Sequence, residues 1–159
     1  MLLIGAHAIE AHGFKRDSTD FDCIIGAENV NPFRDRMATH SFGEVYRTPY
    51  FVKYRQVIGE GAVVEAMLVD SVTFQKLIDD SIGFDFDGHT FRIPGLKHVI
   101  AMNLQVCKFW PDREPSELRD IAALLRANQG RWKDAEIEDV CRRFGPKGIQ
   151  DRLTSALGR

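Results

Sequence analysis

The chain has 159 residues, 44% of them hydrophobic, enough for one cored domain with a helical appendage but not for two large domains. Its 21 Lys and Arg against 23 Asp and Glu leave a formal charge of −2, which excludes a globally basic nucleic-acid binder and leaves room for a local basic patch. Cys23, Cys107 and Cys141 lie among apolar neighbours and form no CxxC pair, which argues against a disulfide scaffold or zinc site and fits a reducing cytoplasm.

The start of the sequence is too short in apolar residues for a signal-peptide core and lacks a basic leader. No run approaches the ~18 apolar residues that cross a bilayer. A cytoplasmic protein with no membrane partner is expected.

Leu2 to Ile4 reads as a short buried strand stopped by Gly5, and Ala6 to His12 as a helix stopped by Gly13. Small residues at Gly5 and Ala6 let backbone approach a ligand closely, and free N–H groups at a helix start attract anions, although a Gly after a strand is commonly only a turn. Asp20 to Ile25 is the second strand, ended by Gly26. Asp20 and Asp22 share one of its faces. Two such carboxylates suit Mg²⁺ or Mn²⁺, the competing reading being an exposed polar face behind a Phe21/Cys23 core.

A surface helix is expected over Asn29 to Arg36, and strands over Phe42 to Arg47 and Tyr50 to Ile58. A turn at residues 59–61 precedes a strand from Ala62 to Val69. Glu65 is the one charge inside that apolar strand and needs a partner, a metal or solvent. Asp70 competes with it as a third acid, but sits where a helix over Val72 to Ile78 needs an N-cap, a role open to Asp70 or Ser71. Phe84 to Pro94 reads as a hairpin turning at Asp87-Gly88. The pattern then becomes helical: Leu96 to Phe109, a loop from Trp110 to Pro115, a helix from Ser116 as N-cap to Asn128, then Asp134 to Phe144 and Ile149 to Leu157. The expected organisation is an α+β core over 1–95 and a helical region over 96–159 packed on it.

Leu3-Ile4-Gly5-Ala6, Arg16-Asp17-Ser18-Thr19-Asp20-Phe21-Asp22 read as Arg-x-[Ser/Thr]-x-Asp-x-Asp, Glu65, Ile93-Pro94-Gly95-Leu96 and Leu118-Arg119-Asp120-Ile121 occur in an order that resembles the DNA-polymerase-β-like nucleotidyltransferase superfamily. More narrowly, it resembles the minimal bacterial members allied to the AbiEii and MenA-type toxin nucleotidyltransferases, over roughly residues 2 to 128. The resemblance implies a mixed β-sheet with flanking helices and a C-terminal helical extension. It implies that Asp20, Asp22 and Glu65 hold Mg²⁺ or Mn²⁺, with Glu65 nearest the acceptor hydroxyl, and that Gly5 and Ala6 line the phosphates of an NTP such as ATP. Arg16 and Ser18 would touch phosphate, the guanidinium stabilising charge that builds up on transfer.

The implied activity is transfer of a nucleoside monophosphate to a hydroxyl of RNA, such as tRNA, or of a protein, with pyrophosphate release, in a toxin–antitoxin pair with a cognate antitoxin. Departures from the family pattern support the alternative, a non-catalytic nucleotide- or partner-binding protein on the same fold. Ala6 stands for the second Gly of the turn, Asn103 for a helical Lys, and Ser116-Glu117 for a Lys-Asp pair. A shortened or mis-started N-terminus is also expected, since relatives carry a helix before the first strand. A third reading, a plain structural domain, requires Glu65 to be paired with a Lys or Arg.

His7 is weighed between a nucleotide contact and a solvent-facing helix position. His12, His40, His89 and His98 lack metal-ligand spacing. Lys15-Arg16, Lys53-Arg55 and Arg142-Arg143 read equally as a basic rim for RNA or as solvated charges.

Overall fold

The computed structural model describes residues 1–59 and 61–158. They divide into two compact units, the first Met1–Ala8 with Arg16–Gly95, the second Ile9–Lys15 with the chain from Leu96 onward. The boundary at Gly95 is built into the backbone. A Cβ at Gly95 would lie 2.4 Å from an Asp80 carboxylate oxygen and 2.5 Å from the Asp80 carbonyl oxygen, so only glycine permits this approach.

The first unit carries a five-stranded mixed sheet in the order β1-β2-β5-β4-β3. Its strands are β1 (Leu2–Leu3), β2 (Phe21–Gly26), β3 (Phe42–Thr48), β4 (Phe51–Gln56) and β5 (Val63–Val69). β2 and β5 run parallel, and the other pairs are antiparallel. Within that parallel pair Cys23, Ile24, Ile25, Ala66 and Leu68 are all buried, as expected of parallel strands covered on their faces. Helix α1 (Gly5–Ala11) follows β1, α2 (Val30–Thr39) follows β2, and α3 (Ser71–Asp79) follows β5. On one face Tyr54 of β4 is fully buried, with Phe33 of α2 at 5.7 Å between ring centroids.

β6 (Ile82–Phe86) and β7 (His89–Ile93) form the expected hairpin, with Asp87 and Gly88 at φ 48° and 74°. Positive φ at both turn residues is the twist-compatible two-residue connection that Asp-Gly favours. Asp70 takes the N-cap of α3, its carboxylate accepting from Thr73 N–H at 2.9 Å and from the Thr73 hydroxyl at 2.7 Å. These bonds hold its pKa below the ordinary carboxylate value. The turn expected at residues 59–61 falls partly outside the described residues.

The second unit is helical: α4 (Leu96–Phe109), α5 (Glu114–Ala127), α6 (Asp134–Phe144) and α7 (Ile149–Leu157). α5 begins two residues before the expected Ser116. Pro115 sits in its first turn, where the missing N–H is no loss, and the Ser116 hydroxyl donates to Arg113 carbonyl oxygen at 2.7 Å inside the helix instead of capping it. The segment expected as loop is a 3-10 turn over Pro111–Arg113. Leu104, Ile121, Leu124, Ile149 and Leu153 form this unit's core. Asn128 ties its chain crossings together, its amide nitrogen donating to the carbonyls of His12 at 2.8 Å and Leu124 at 2.9 Å.

Candidate active site

The site is assembled by strand register. Asp22 of β2 is the register partner of Glu65 of β5, and Glu65 is the register partner of Lys53 of β4. Paired residues on neighbouring strands project from the same face about 5 Å apart, so a single row carries Asp22, Glu65 and Lys53. Tyr46 of β3 extends the row as the partner of Lys53. Lys53 Nζ lies 2.7 Å from Glu65 Oε1, and the two side chains are 32% and 30% exposed. The half-exposed pair supplies the cation that a carboxylate in an apolar strand needs. The condition for a plain structural domain, a basic partner for Glu65, is thus present, but Asp22 flanks Glu65 on its other side.

Gly5 positions Asp22. It has φ +58°, and a Cβ there would meet Asp22 Oδ2 at 2.2 Å. The Ile4 N–H also donates to the Asp22 carbonyl oxygen at 2.9 Å. The carboxylate therefore lies against the backbone at the start of α1, close to where free amide groups end a helix. Ala6, the neighbouring small residue, is buried.

Asp20 lies one residue before β2. Its N–H donates to the Ser18 hydroxyl at 3.3 Å, and the Thr19 hydroxyl donates to Asp20 Oδ1 at 3.3 Å. Ser18 thus shapes the turn that delivers Asp20 to the strand, a side chain-to-backbone bond typical of Ser and Thr at turns. Arg16 is half-buried at the entry to this turn.

The donor chemistry suits a hard divalent cation, since Asp20, Asp22 and Glu65 offer only carboxylate oxygens. As placed, no three His, Cys, Asp or Glu side chains among the described residues are gathered closely enough to hold a metal ion. Glu65 is engaged by Lys53 instead.

Two residues read differently in three dimensions. His7 is buried, its ring stacked on Phe21 at 4.7 Å and 18° and set edge-on to Phe86 at 4.9 Å. It belongs to an aromatic cluster on the side of β2 opposite Asp22. Lys53, read from sequence as either part of a basic rim or a solvated charge, is a member of the acidic row. Its parity with Glu65 was visible in each strand separately, but their register was not.

No family model matches the chain, and no curated protein matches it. Its fold does match solved structures. An antigenic nucleotidyltransferase-like protein from Paracoccidioides brasiliensis superposes with a TM-score of 0.55 at 14% identity, over 99% of this chain and 83% of that one. ANT(2")-Ia in complex with adenylyl-2"-tobramycin gives a TM-score of 0.66 at 10% identity, over 97% of this chain and 86% of that one. The chain thus has a nucleotidyltransferase-type α+β fold with a mixed sheet and flanking helices. No helix among the described residues is long and apolar enough to cross a membrane.

Proposed function

We propose that this protein is a Mg²⁺- or Mn²⁺-dependent nucleotidyltransferase that moves a nucleoside monophosphate from an NTP to an acceptor hydroxyl. The observation that carries the reading is the placement of Asp22 against Gly5 at the start of α1 with Glu65 as its register partner, on a fold shared with nucleotidyltransferase-like proteins.

Asp20, Asp22 and Glu65 would hold the metal, which when bound supplies charge neutralisation for the phosphates and the leaving pyrophosphate. The chain's own part is positioning. The Gly5-Ala6 turn gives backbone room and amide donors to the triphosphate. Ser18 and Arg16 reach phosphate from the turn before β2, and Glu65 accepts the proton of the incoming hydroxyl. RNA such as tRNA, or a protein, is the acceptor this reading favours, with a cognate antitoxin as partner in a cytoplasmic toxin–antitoxin pair. Its support is the sequence likeness to the AbiEii and MenA-type enzymes. ANT(2")-Ia with adenylyl-2"-tobramycin adds a nucleotidylated small molecule as a further acceptor class to assay.

The test is transfer of label from NTPs to total tRNA or cell lysate in the presence of Mg²⁺. Wild type should label an acceptor and the Asp20→Asn/Asp22→Asn double variant should not; equal labelling would refute the enzyme.

A second reading is a non-catalytic nucleotide- or partner-binding protein on the same fold, favoured by the Lys53–Glu65 pair and by Ala6 and Asn103. Calorimetry separates the two. NTP binding that persists without Mg²⁺, or no NTP binding at all, supports the binding protein.

A further inference from the structure

Register brings one cation into the row of acids. β2, β5 and β4 set Asp22, Glu65 and Lys53 side by side, and the ammonium reaches Glu65 Oε1 at 2.7 Å. Neither group is deeply buried, so the pair is open enough to part or to admit another ion beside it. A divalent cation entering between Asp22 and Glu65 meets this ammonium. It must share the Glu65 carboxylate with Lys53 or displace it.

We propose that Lys53 is a positioning residue that sets the divalent-cation affinity of the site through its hold on Glu65. This rests on the reading of Asp22 and Glu65 as metal ligands. Without the metal, the ammonium neutralises Glu65 and keeps the row of acids from repelling itself. With the metal, Glu65 must be released by the ammonium or shared with it, so cation binding is weaker than the carboxylates alone would give. A lysine suits this role because its charge is compact and its stem flexible. An arginine would hold the carboxylate through a planar, two-pronged contact.

Mn²⁺ binding to the full-length protein, followed by the paramagnetic resonance signal of free Mn²⁺, tests the proposal without reference to activity. Lys53→Met is expected to bind Mn²⁺ about two- to fivefold more tightly than wild type, the range expected for losing one partly exposed, screened charge contact. Lys53→Arg, which keeps the charge and grips the carboxylate with two prongs, should bind Mn²⁺ no more tightly than wild type. In a Glu65→Gln background the gain should vanish, because the effect runs through that carboxylate.

Circular dichroism confirms that each variant folds, and Lys53→Gln serves if Lys53→Met does not. Unchanged or weaker binding in Lys53→Met, or a gain that survives in Glu65→Gln, overturns the role of Lys53 while the metal site stands. Absence of Mn²⁺ binding in wild type and every variant overturns the metal site itself, and the role of Lys53 with it.

Discussion

Gly5→Ala is the perturbation that most directly probes the site. Gly5 has φ +58°, and an added Cβ would lie 2.2 Å from Asp22 Oδ2, 3.0 Å from its Cγ and 3.1 Å from its Cβ. The left-handed backbone alone costs a non-glycine residue about 1–2 kcal/mol. Clearing the contacts with Oδ2 and Cγ requires the Asp22 side chain to leave its rotamer, at a further cost of about 0.5–1.5 kcal/mol. The sum is about 1.5–3.5 kcal/mol, or roughly 3–14 °C in Tm for a chain of this size.

Gly88→Ala is the matched control, because Gly88 has φ +74° and nothing within 4 Å of its added Cβ. It carries only the backbone cost. Urea unfolding followed by circular dichroism should therefore place Gly5→Ala about 1 kcal/mol below Gly88→Ala in stability. If Gly5→Ala proves as stable as Gly88→Ala, Asp22 is not seated against Gly5. Under the proposed function, the displaced carboxylate should also lower nucleotidyl transfer in Gly5→Ala at least tenfold, about 1.4 kcal/mol of barrier.

Burial pushes the Cys23 thiol up to about 12 and the Cys107 thiol up to about 11 from an ordinary value of 9.0, the neighbouring Glu117 adding to the shift at Cys107. All three thiols are buried, so native protein at pH 8 should resist alkylation while the urea-unfolded chain reacts at all three, as mass spectrometry would show; rapid native labelling of Cys23 would contradict its placement. The sign of the linkage follows. These thiols stay protonated in the folded state after the unfolded thiols begin to ionise, so their contribution is intact below pH 9.0 and is lost as pH climbs toward about 12. Denaturant midpoints should fall over that window, and less so in a Cys23→Ala variant. In the second unit, Asn128→Ala removes the donations to His12 and Leu124 and should cost about 1–3 kcal/mol. Asn128→Asp, which points a carboxylate at two carbonyls, should melt lower still at pH 7, and equal melting temperatures would count against those bonds.

Local chemistry was enough for most elements. Leu96–Phe109, Asp134–Phe144 and Ile149–Leu157 begin and end where apolar period and glycine stops place them, because helix periodicity and capping are written in consecutive residues. The Asp-Gly hairpin was readable for the same reason, and so was a cap at Asp70 or Ser71, of which the structure takes Asp70. The start of α5 was not, because Ser116 has cap chemistry but Pro115 and Glu114 fit a helical first turn equally well.

The site divides along the same line. Consecutive residues are enough to name the groups that could do the chemistry: two carboxylates on one strand face, a lone acid in the middle of an apolar strand, a glycine turn before a helix. What those groups meet depends on the folded chain. Asp22 stands beside Glu65 because β2 and β5 are parallel neighbours, and Lys53 reaches Glu65 because β4 pairs β5 in the register that aligns them. His7 turns into an aromatic cluster because Phe21 and Phe86 converge on it. Strand alternation is local, but pairing and register join residues far apart in the chain, and a shift of one position would carry every side chain to the opposite face.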